Sequence, residues 1–311
     1  MVRVYWTAAH KAWSWSRHVY RLNPNSMRLF KRHLRWATAA ALRPEAALAW
    51  FTFHEDAAVE AFTHANPRLI FRALTRYMAV NWGLERRTKV IQETYLCLLG
   101  HGGFLAEAMR QPGGLVLASF ALDRGQKGLL RLGSDAQFRK EGEISVFLEL
   151  EGVPGAITGL AFSLELGAGL TLRIGGLQGR KGGDEAAIKL ATKAMHGLRP
   201  KNLMVLVVQE VVRSLGASEL QGVGNAIQVY RARINNPLVP KRDFRFDFDA
   251  LWTEIGGVPL EDGWFRLPLT TPRRTPEEIK PNKRSLYAKR YALLDELSRQ
   301  IRETLAEGTF T

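Results

Sequence analysis

The apolar residues in the first third of the chain follow a helical spacing. From residue 44 to 111 they recur at intervals of three and four, which predicts three consecutive helices. One helix opens at Pro44, a second opens at Pro67, and the glycine pair that follows His101 ends the third.

Beyond residue 111 the spacing changes from helical to alternating. Residues 112–178 form short apolar runs separated by Gly, Asp and Pro, which predicts an antiparallel meander of about four to five strands. A helix over 184–195, a break at 196–200, an apolar helix over 200–215 and a buried strand at 219–224 follow.

The tail is mixed in character. Residues 243–257 and 264–269 give strand-like and turn-like pieces, 272–285 form a Pro-rich basic loop, and 285–305 predict a final helix. The fold class predicted by the whole pattern is α+β.

Two regions are expected within this α+β fold. Residues 1–111 form a mainly helical N-terminal region, and residues 112–311 form a mixed sheet with packed helices and a C-terminal helix. A chain of 311 residues is long enough for either one large domain or two smaller ones.

Composition adds a strong charge bias to this picture. Hydrophobic residues make up 46% and charged residues 24%, as in ordinary globular proteins, but 44 Lys and Arg face 30 acidic residues, which gives +14. Such a field attracts phosphates, nucleic acid or an anionic membrane. The alternative is a protein that is simply basic.

The bias is strongest at the N-terminus. Residues 1–44 contain nine Lys or Arg and no acidic residue, with Trp6, Trp13, Trp15 and Trp36 among them. This mixture suits a membrane interface or a nucleic-acid backbone. The alternative is a helical layer whose tryptophans pack on the body of the protein. The spacing gives no single amphipathic stripe and therefore favours packing, with peripheral membrane contact kept open.

Several classes of site are excluded. Cys97 is the single cysteine, so a disulfide framework and a thiolate metal site are ruled out. The scattered histidines form no HExxH motif, and no metal is predicted. No apolar run reaches the ~18 residues of a transmembrane helix, and no signal peptide is recognised. The expected location is the cytoplasm, with peripheral association at the inner membrane.

Two basic loops at predicted helix starts are the strongest chemical signal. Glycines let backbone amides approach an anion, and a helix N-terminus adds partial positive charge, which suits a phosphate-bearing ligand. Neither a Walker loop nor a GxGxxG motif is present, and two basic turns without a ligand are the alternative. The loop residues expected to bind the anion are Gln178, Gly179, Arg180, Lys181, Gly183, Gly197, Arg199 and Lys201.

The order of elements resembles the GNAT acyltransferase arrangement. A meander is followed by a strand, a Gly-rich loop, a helix, another strand and the stretch from Asn225 to Tyr230. The resemblance implies a GNAT-like sheet, an acyl-CoA or acyl carrier protein thioester as donor, and roles for Asn225 and Tyr230 at the thioester. The sequence departs from the family pattern because two helices, broken at 196–200, replace one.

Three residues are candidates for catalysis. His196 or Glu143 would act as the base and Tyr230 as the acid. The alternative for His196 is a helix C-terminal cap. The alternative for Glu143 is membership of a solvated sheet face, together with Glu141, Glu149 and Glu151.

A second resemblance covers nearly the whole chain. The runs EGEISVFLEL, IGGLQG, ATKAMHGLRPKNLMV, FDALW and NKRSLYAKRYALLDEL, in that order, resemble the VirK/YbjX family. This family is a domain of unknown function, associated with virulence and with resistance to cationic antimicrobial peptides in Gram-negative bacteria. The resemblance implies work at the cell envelope and names no catalytic residue.

Two functional hypotheses follow. The first is an acyltransferase-like enzyme that moves an acyl group from a thioester to an amine or hydroxyl, linked to the envelope or to peptide modification. The second is a non-catalytic envelope-stress or virulence protein that binds anionic lipid or a protein partner through basic surfaces. Specific nucleic-acid binding is not predicted, because the basic residues are spread and form no recognised module.

Overall fold

A computed structural model describes residues 2–20, 26–122, 125–179, 185–230 and 246–306. Six helices precede the sheet, four follow its first five strands, and a 3-10 turn spans Pro67–Phe71. The helices are α1 Val2–Val19, α2 Ser26–Ala41, α3 Pro44–His54, α4 Ala57–Ala65, α5 Leu84–His101, α6 Gly103–Arg110, α7 Glu185–Ala194, α8 Pro200–Ser214, α9 Phe248–Glu254 and α10 Arg284–Ala306. The strands are β1 Leu115–Ala121, β2 Lys127–Gly133, β3 Ile144–Leu150, β4 Val153–Leu166, β5 Leu170–Gly179, β6 Glu219–Val223, β7 Val258–Pro259 and β8 Trp264–Leu267.

One mixed sheet organises the described part of the chain. Its strand order is β1-β2-β3-β4-β5-β6-β8-β7, and β1 to β5 form the predicted antiparallel meander. The pair β5 and β6 is parallel, with α7 and α8 as the crossover between them. The α+β prediction is confirmed, and so are the strand at β6 and the helices that start near 184, 200 and 285.

The predicted helix opening at Pro67 is wrong. The 3-10 turn ends at Phe71, and the chain then runs irregularly to Gly83. Met78 has a left-handed backbone with φ 52°, and its N–H donates to the carbonyl of Lys140 at 2.7 Å. Tertiary hydrogen bonds to distant loops therefore replace the local hydrogen bonds of a helix.

The strand-like prediction around residue 248 is also wrong, because α9 lies there. Asp247 caps this helix by accepting a hydrogen bond from the N–H of Ala250. Phe248, Leu251 and Trp252 are buried on one side of it. Their spacing of three and four residues suits a helix better than a strand.

The two faces of the sheet differ in chemistry. Alternation places Glu143, Ser163 and Glu165 on one face, which α5 and residues 72–82 cover. The opposite face is apolar; α8 crosses it and α10 packs against α8 and β1. A single apolar cluster extends from Ala8 to Ile301, so the helical region and the sheet share one core.

Candidate functional site

The parallel strands β5 and β6 separate at their carboxyl ends. They pair only over Thr171–Ile174 and Glu219–Gly222, yet β5 continues to Gly179. Over this extension β5 pairs with β4. Within the described residues, no backbone hydrogen bond joins 175–179 to β6 or to the residues that follow β6. Beyond Ile174 the edge of β5 that faces β6 therefore has no backbone hydrogen-bond partner among the described residues, at the carboxyl end of a parallel pair, where open sheets commonly bind ligands.

Glu141 lies against β5 where the strands separate. Its carboxyl group accepts hydrogen bonds from the side-chain amides of Gln178 and Gln228, the latter at 3.1 Å. Two glycines of β5 make this approach possible, because a Cβ at Gly176 would overlap the carboxyl carbon of Glu141 and one at Gly175 would overlap its carbonyl oxygen. The Gly-Gly step thus seats a carboxyl group directly on the strand.

The environment of Glu141 changes its ionisation. The side chain is buried, and no described Lys or Arg lies within ion-pair distance of it. Burial raises the pKa of this carboxyl to about 8, and the two amide hydrogen bonds oppose the rise only in part. A group with a pKa near neutrality is suited to proton transfer.

Polar side chains surround the approach to Glu141. Gln178 is partly exposed, and its side-chain oxygen accepts a hydrogen bond from Gln137 at 3.2 Å. The backbone N–H of Tyr230 donates to the side-chain oxygen of Gln228 at 2.7 Å. The ammonium of Lys140 lies 5.9 Å from the centre of the Tyr230 ring. The side chain of Gln178 and the backbone of Tyr230 are therefore linked through Glu141 and Gln228.

Glu143 does not belong to a solvated sheet face, nor does Glu141. Glu143 is buried, forms an ion pair with Arg72, and accepts a hydrogen bond from the Tyr95 hydroxyl at 2.7 Å. Burial alone would lower the pKa of Arg72, but the charge of Glu143 raises it above its ordinary value. Residues 72–95 cover and bury Glu143. They lie far from it in sequence, which is why strand alternation did not reveal its burial.

A second feature is a basic pocket of about 420 Å³ between α8, α10 and residues 270–274. It begins at the N-terminus of α8, where Pro200 occupies the first turn. Tyr287 and Tyr291 form part of its wall, and Glu254 is the one carboxylate among its lining residues. Its lining arginines are Arg199, Arg213, Arg273, Arg274 and Arg290.

Part of this arginine charge is already compensated. Arg273 donates to Asp295 at 3.0 Å, and Arg213 pairs with Glu210. Within the described residues, Arg199 and Arg274 have no carboxylate within ion-pair distance. At least two guanidinium groups are therefore available to an anion, beside a helix N-terminus that favours negative charge.

The 197–201 loop divides between this pocket and another surface. Gly197 and Arg199 line the pocket, and their role in anion binding stays a prediction. The ammonium of Lys201 instead lies 4.0 Å from the centre of the Phe246 ring, and burial lowers its pKa. The carbonyl of His196 accepts a hydrogen bond from Arg290 at 2.7 Å, and its backbone is left-handed with φ 52°.

The remaining predicted residues have separate locations. Gly179 ends β5, whereas Arg180, Lys181 and Gly183 lie outside the described residues. The Asn225 side chain donates to Asp247 at 2.6 Å and accepts from the backbone of Phe248 at 3.0 Å, so it holds the start of α9.

Two features of the site were not predicted from sequence. Glu141 was named only among solvated carboxylates, although the Gly-Gly step in a strand was a usable signal of close approach. The sequence predicts only a basic loop for Arg273 and Arg274, and nothing local shows that α8 and α10 enclose them. Among the described residues, no group of three His, Cys, Asp or Glu could hold a metal ion, and no helix is long and apolar enough to cross a membrane.

Comparisons with known proteins place the chain among uncharacterised relatives. The family described as "Protein of unknown function (DUF535)" matches residues 25–303. The uncharacterised protein YbjX of Escherichia coli K12 is 30% identical over 242 residues, which cover 76% of this chain and 71% of that one. An uncharacterised protein of Haemophilus influenzae is 37% identical over 123 residues, 40% of this chain and 39% of its own. No solved structure matches the chain significantly.

Proposed function

The chain belongs to the DUF535 family, as its VirK/YbjX resemblance predicted, and since that family carries no assigned activity, we propose from the site that it is an acyltransferase-like enzyme. The acyl group passes from a thioester donor, acyl-CoA or an acyl carrier protein, to an amine or hydroxyl acceptor. The donor lies at the point where β5 and β6 separate, beyond Ile174.

The separation of β5 from β6 beyond Ile174 is the observation that supports this proposal. An extended ligand with amide groups binds to an open strand edge as an added strand, through main-chain hydrogen bonds. The arm that carries the thioester in both donors is extended and contains amides. The part of β5 that does not pair with β6, Gly175–Gly179, leads directly to the basic loop predicted to bind phosphate.

The position of the arginine pocket is consistent with an anionic donor. The helix α8 ends at Ser214, and β6 begins shortly after, at Glu219. A crossover helix of this kind runs back along the sheet, so its N-terminus lies toward the carboxyl ends of β5 and β6. This direction of α8 is consistent with a contact between Arg199 and phosphate groups of a donor whose thioester lies where β5 and β6 separate.

The chemical step uses the cluster around Glu141. The acceptor nitrogen or oxygen attacks the thioester carbonyl carbon and passes its proton to Glu141, while the C–S bond breaks and the thiolate takes a proton from Tyr230. Glu141 lies behind Gln178, so acceptor binding must displace that amide. Glu143 has no part in this scheme, because its carboxylate is already paired with Arg72.

Ligand binding tests the donor site. Acetyl-CoA, palmitoyl-CoA and an acylated carrier protein are each added to the full chain, and the melting temperature is measured. A ligand at a hundred times its Kd stabilises the folded state by about 2.7 kcal/mol. Arg199→Ala should weaken the effect of acyl-CoA, whereas Lys189→Ala, on the exposed face of α7, should not. Unchanged melting with all three donors contradicts the proposal.

Turnover tests the chemistry separately. Release of free thiol is followed with a bound donor and a primary amine as acceptor. Glu141→Gln should retain donor binding and lose about a hundredfold or more in rate, the usual contribution of a positioned acid or base. Glu149→Gln, on β3, serves as the matched control. Equal rates for Glu141→Gln and the unaltered chain would remove Glu141 from the mechanism.

A further inference from the structure

The first two helices present apolar side chains to solvent. Trp6 is 66% exposed, Met27 62%, Phe30 52% and Leu34 50%. Met27, Phe30 and Leu34 are three, four and seven residues apart, so they lie on one side of α2. Isolated exposed apolar residues need no explanation, but a row of them on one helix face marks an interaction surface.

The rows on the two helices form one surface. Trp6 and Trp13 are seven residues apart on α1, and the Trp13 ring meets the Phe30 ring edge-on at 5.7 Å. This contact joins the α1 row to the α2 row. We call the surface the apolar stripe; its members are Trp6, Trp13, Met27, Phe30 and Leu34.

The stripe is separate from the face that attaches these helices to the protein. Ala8, Ala12 and Ser16, spaced by four residues, are buried on α1, and Trp36 is buried on α2. The Trp36 ring stacks on Phe71 at 4.8 Å. The predicted packing of tryptophans on the body is confirmed for Trp36 and for Trp15, which packs against the core, whereas Trp6 is exposed.

Positive charge flanks the stripe. Arg3, Arg17, Lys31 and Arg35 lie within four residues of its members, and none of them forms an ion pair with a described residue. The first 44 residues contain nine basic and no acidic residues. A helix with aromatic and aliphatic residues on one side and uncompensated basic residues beside them fits the interface of an anionic bilayer.

We propose that the paired helices α1 and α2 bind the surface of an anionic phospholipid membrane, with the apolar stripe inserted among the lipid headgroups. The aliphatic members of the stripe favour lipid over nucleic acid. Met27 and Leu34 gain by burial beside acyl chains, whereas single-stranded nucleic acid is held by stacking on aromatic rings. This surface is independent of the site at β5, and neither proposal depends on the other.

Vesicle flotation with the full chain tests the proposal. The vesicles contain either phosphatidylcholine alone or phosphatidylcholine with roughly a third phosphatidylglycerol. The bound fraction should be much larger on the anionic vesicles and should fall at high salt, because salt screens exposed charges. Equal binding to both vesicle types, or binding to neither, would overturn the proposal, as would binding to a single-stranded oligonucleotide in its place.

Two variants separate apolar from charged contributions. Trp6→Ser, Phe30→Ser and Leu34→Ser together should reduce binding at least about tenfold. Lys31→Gln with Arg35→Gln should reduce binding to anionic vesicles by about twentyfold, since each basic residue near the surface contributes about fivefold. Unchanged binding in either variant contradicts the stripe as the contact surface.

Matched controls come from elsewhere on the surface. Leu96→Ser with Val258→Ser removes exposed apolar side chains, 51% and 59% exposed, outside the stripe. Lys280→Gln with Lys283→Gln removes two exposed basic residues near the start of α10. Both controls should bind vesicles as the unaltered chain does. All variants should melt within a few degrees of it, since the altered side chains lie mostly in solvent.

Discussion

At the scale of single residues, Glu141 combines burial with a missing charge partner. Its neighbours on the same sheet face are treated differently, because Glu143 pairs with Arg72 and Glu165 pairs with Arg86 and Arg173. Glu141 receives only amide hydrogen bonds, which stabilise a carboxylate less than a guanidinium does. The stability of the protein should therefore depend measurably on the protonation of Glu141.

Glu141→Gln should change how stability depends on pH. The pKa of Glu141 is about 8 in the folded protein and near its ordinary value of 4.5 when unfolded. Between pH 4.5 and pH 8 the unfolded chain releases a proton that the folded protein keeps. The stabilising contribution of Glu141 is therefore complete below pH 4.5 and is lost as the pH rises toward 8. The Gln variant lacks this loss.

The measurement is denaturant unfolding of both proteins between pH 5 and 8. The free energy of unfolding of Glu141→Gln, minus that of the unaltered chain, should rise by up to ~1.4 kcal/mol per pH unit. If the difference in the free energy of unfolding does not change with pH, the buried carboxyl of Glu141 ionises near its ordinary pKa.

At the scale of elements, the sequence predicts what local spacing determines. The helices α7, α8 and α10 and the strand β6 follow from apolar periodicity and from stop signals such as Gly216. The stretch from Pro67 to Gly83 does not, because the backbone N–H groups of Met78 and Val80 donate to the distant carbonyls of Lys140 and Ile227. The separation of β5 from β6 is equally non-local, since it depends on where a distant strand stops pairing.

The glycines of β5 give an element-scale prediction. Gly176→Ala should destabilise the protein by about 1–3 kcal/mol, because the new Cβ overlaps the buried Glu141 side chain. Gly179→Ala in the same strand is the matched control, with nothing within 4 Å of its Cβ, and should change stability by ~0.5 kcal/mol or less. Thermal or urea unfolding measures both.

A double variant shows whether Glu141 is the cause. Adding Glu141→Ala to Gly176→Ala removes the carboxyl atoms of Glu141, the nearest atoms that the new Cβ meets, so the combined loss should be smaller than the sum of the single losses. Additive losses would place the strain at another neighbour. The same pairing explains why IGGLQG carries two consecutive glycines inside a strand.

At the scale of the whole molecule, buried polar contacts join the helical region to the sheet. Arg72 pairs with Glu143, and Tyr77 bonds to Ser163 at 2.6 Å, beneath the cover of α5. The sequence predicts a boundary at residue 111 from the change of spacing, and that boundary stays a prediction. Spacing reveals where helices give way to strands, but not which polar side chains will meet across the two regions.

Breaking the Arg72 contact should affect both regions at once. Arg72→Met leaves Glu143 buried without its partner, a change that typically costs about 3–5 kcal/mol. Because one apolar core spans both regions, hydrogen exchange in α5 and in β3 and β4 should lose protection by the same amount.

Arg72→Met with Glu143→Met should recover most of the loss, since no charge is left unpaired. Arg299→Met, at an exposed ion pair on α10, is the control and should alter protection little. Loss of protection confined to residues 26–110 would instead establish the boundary at 111 as a division between independently folding units.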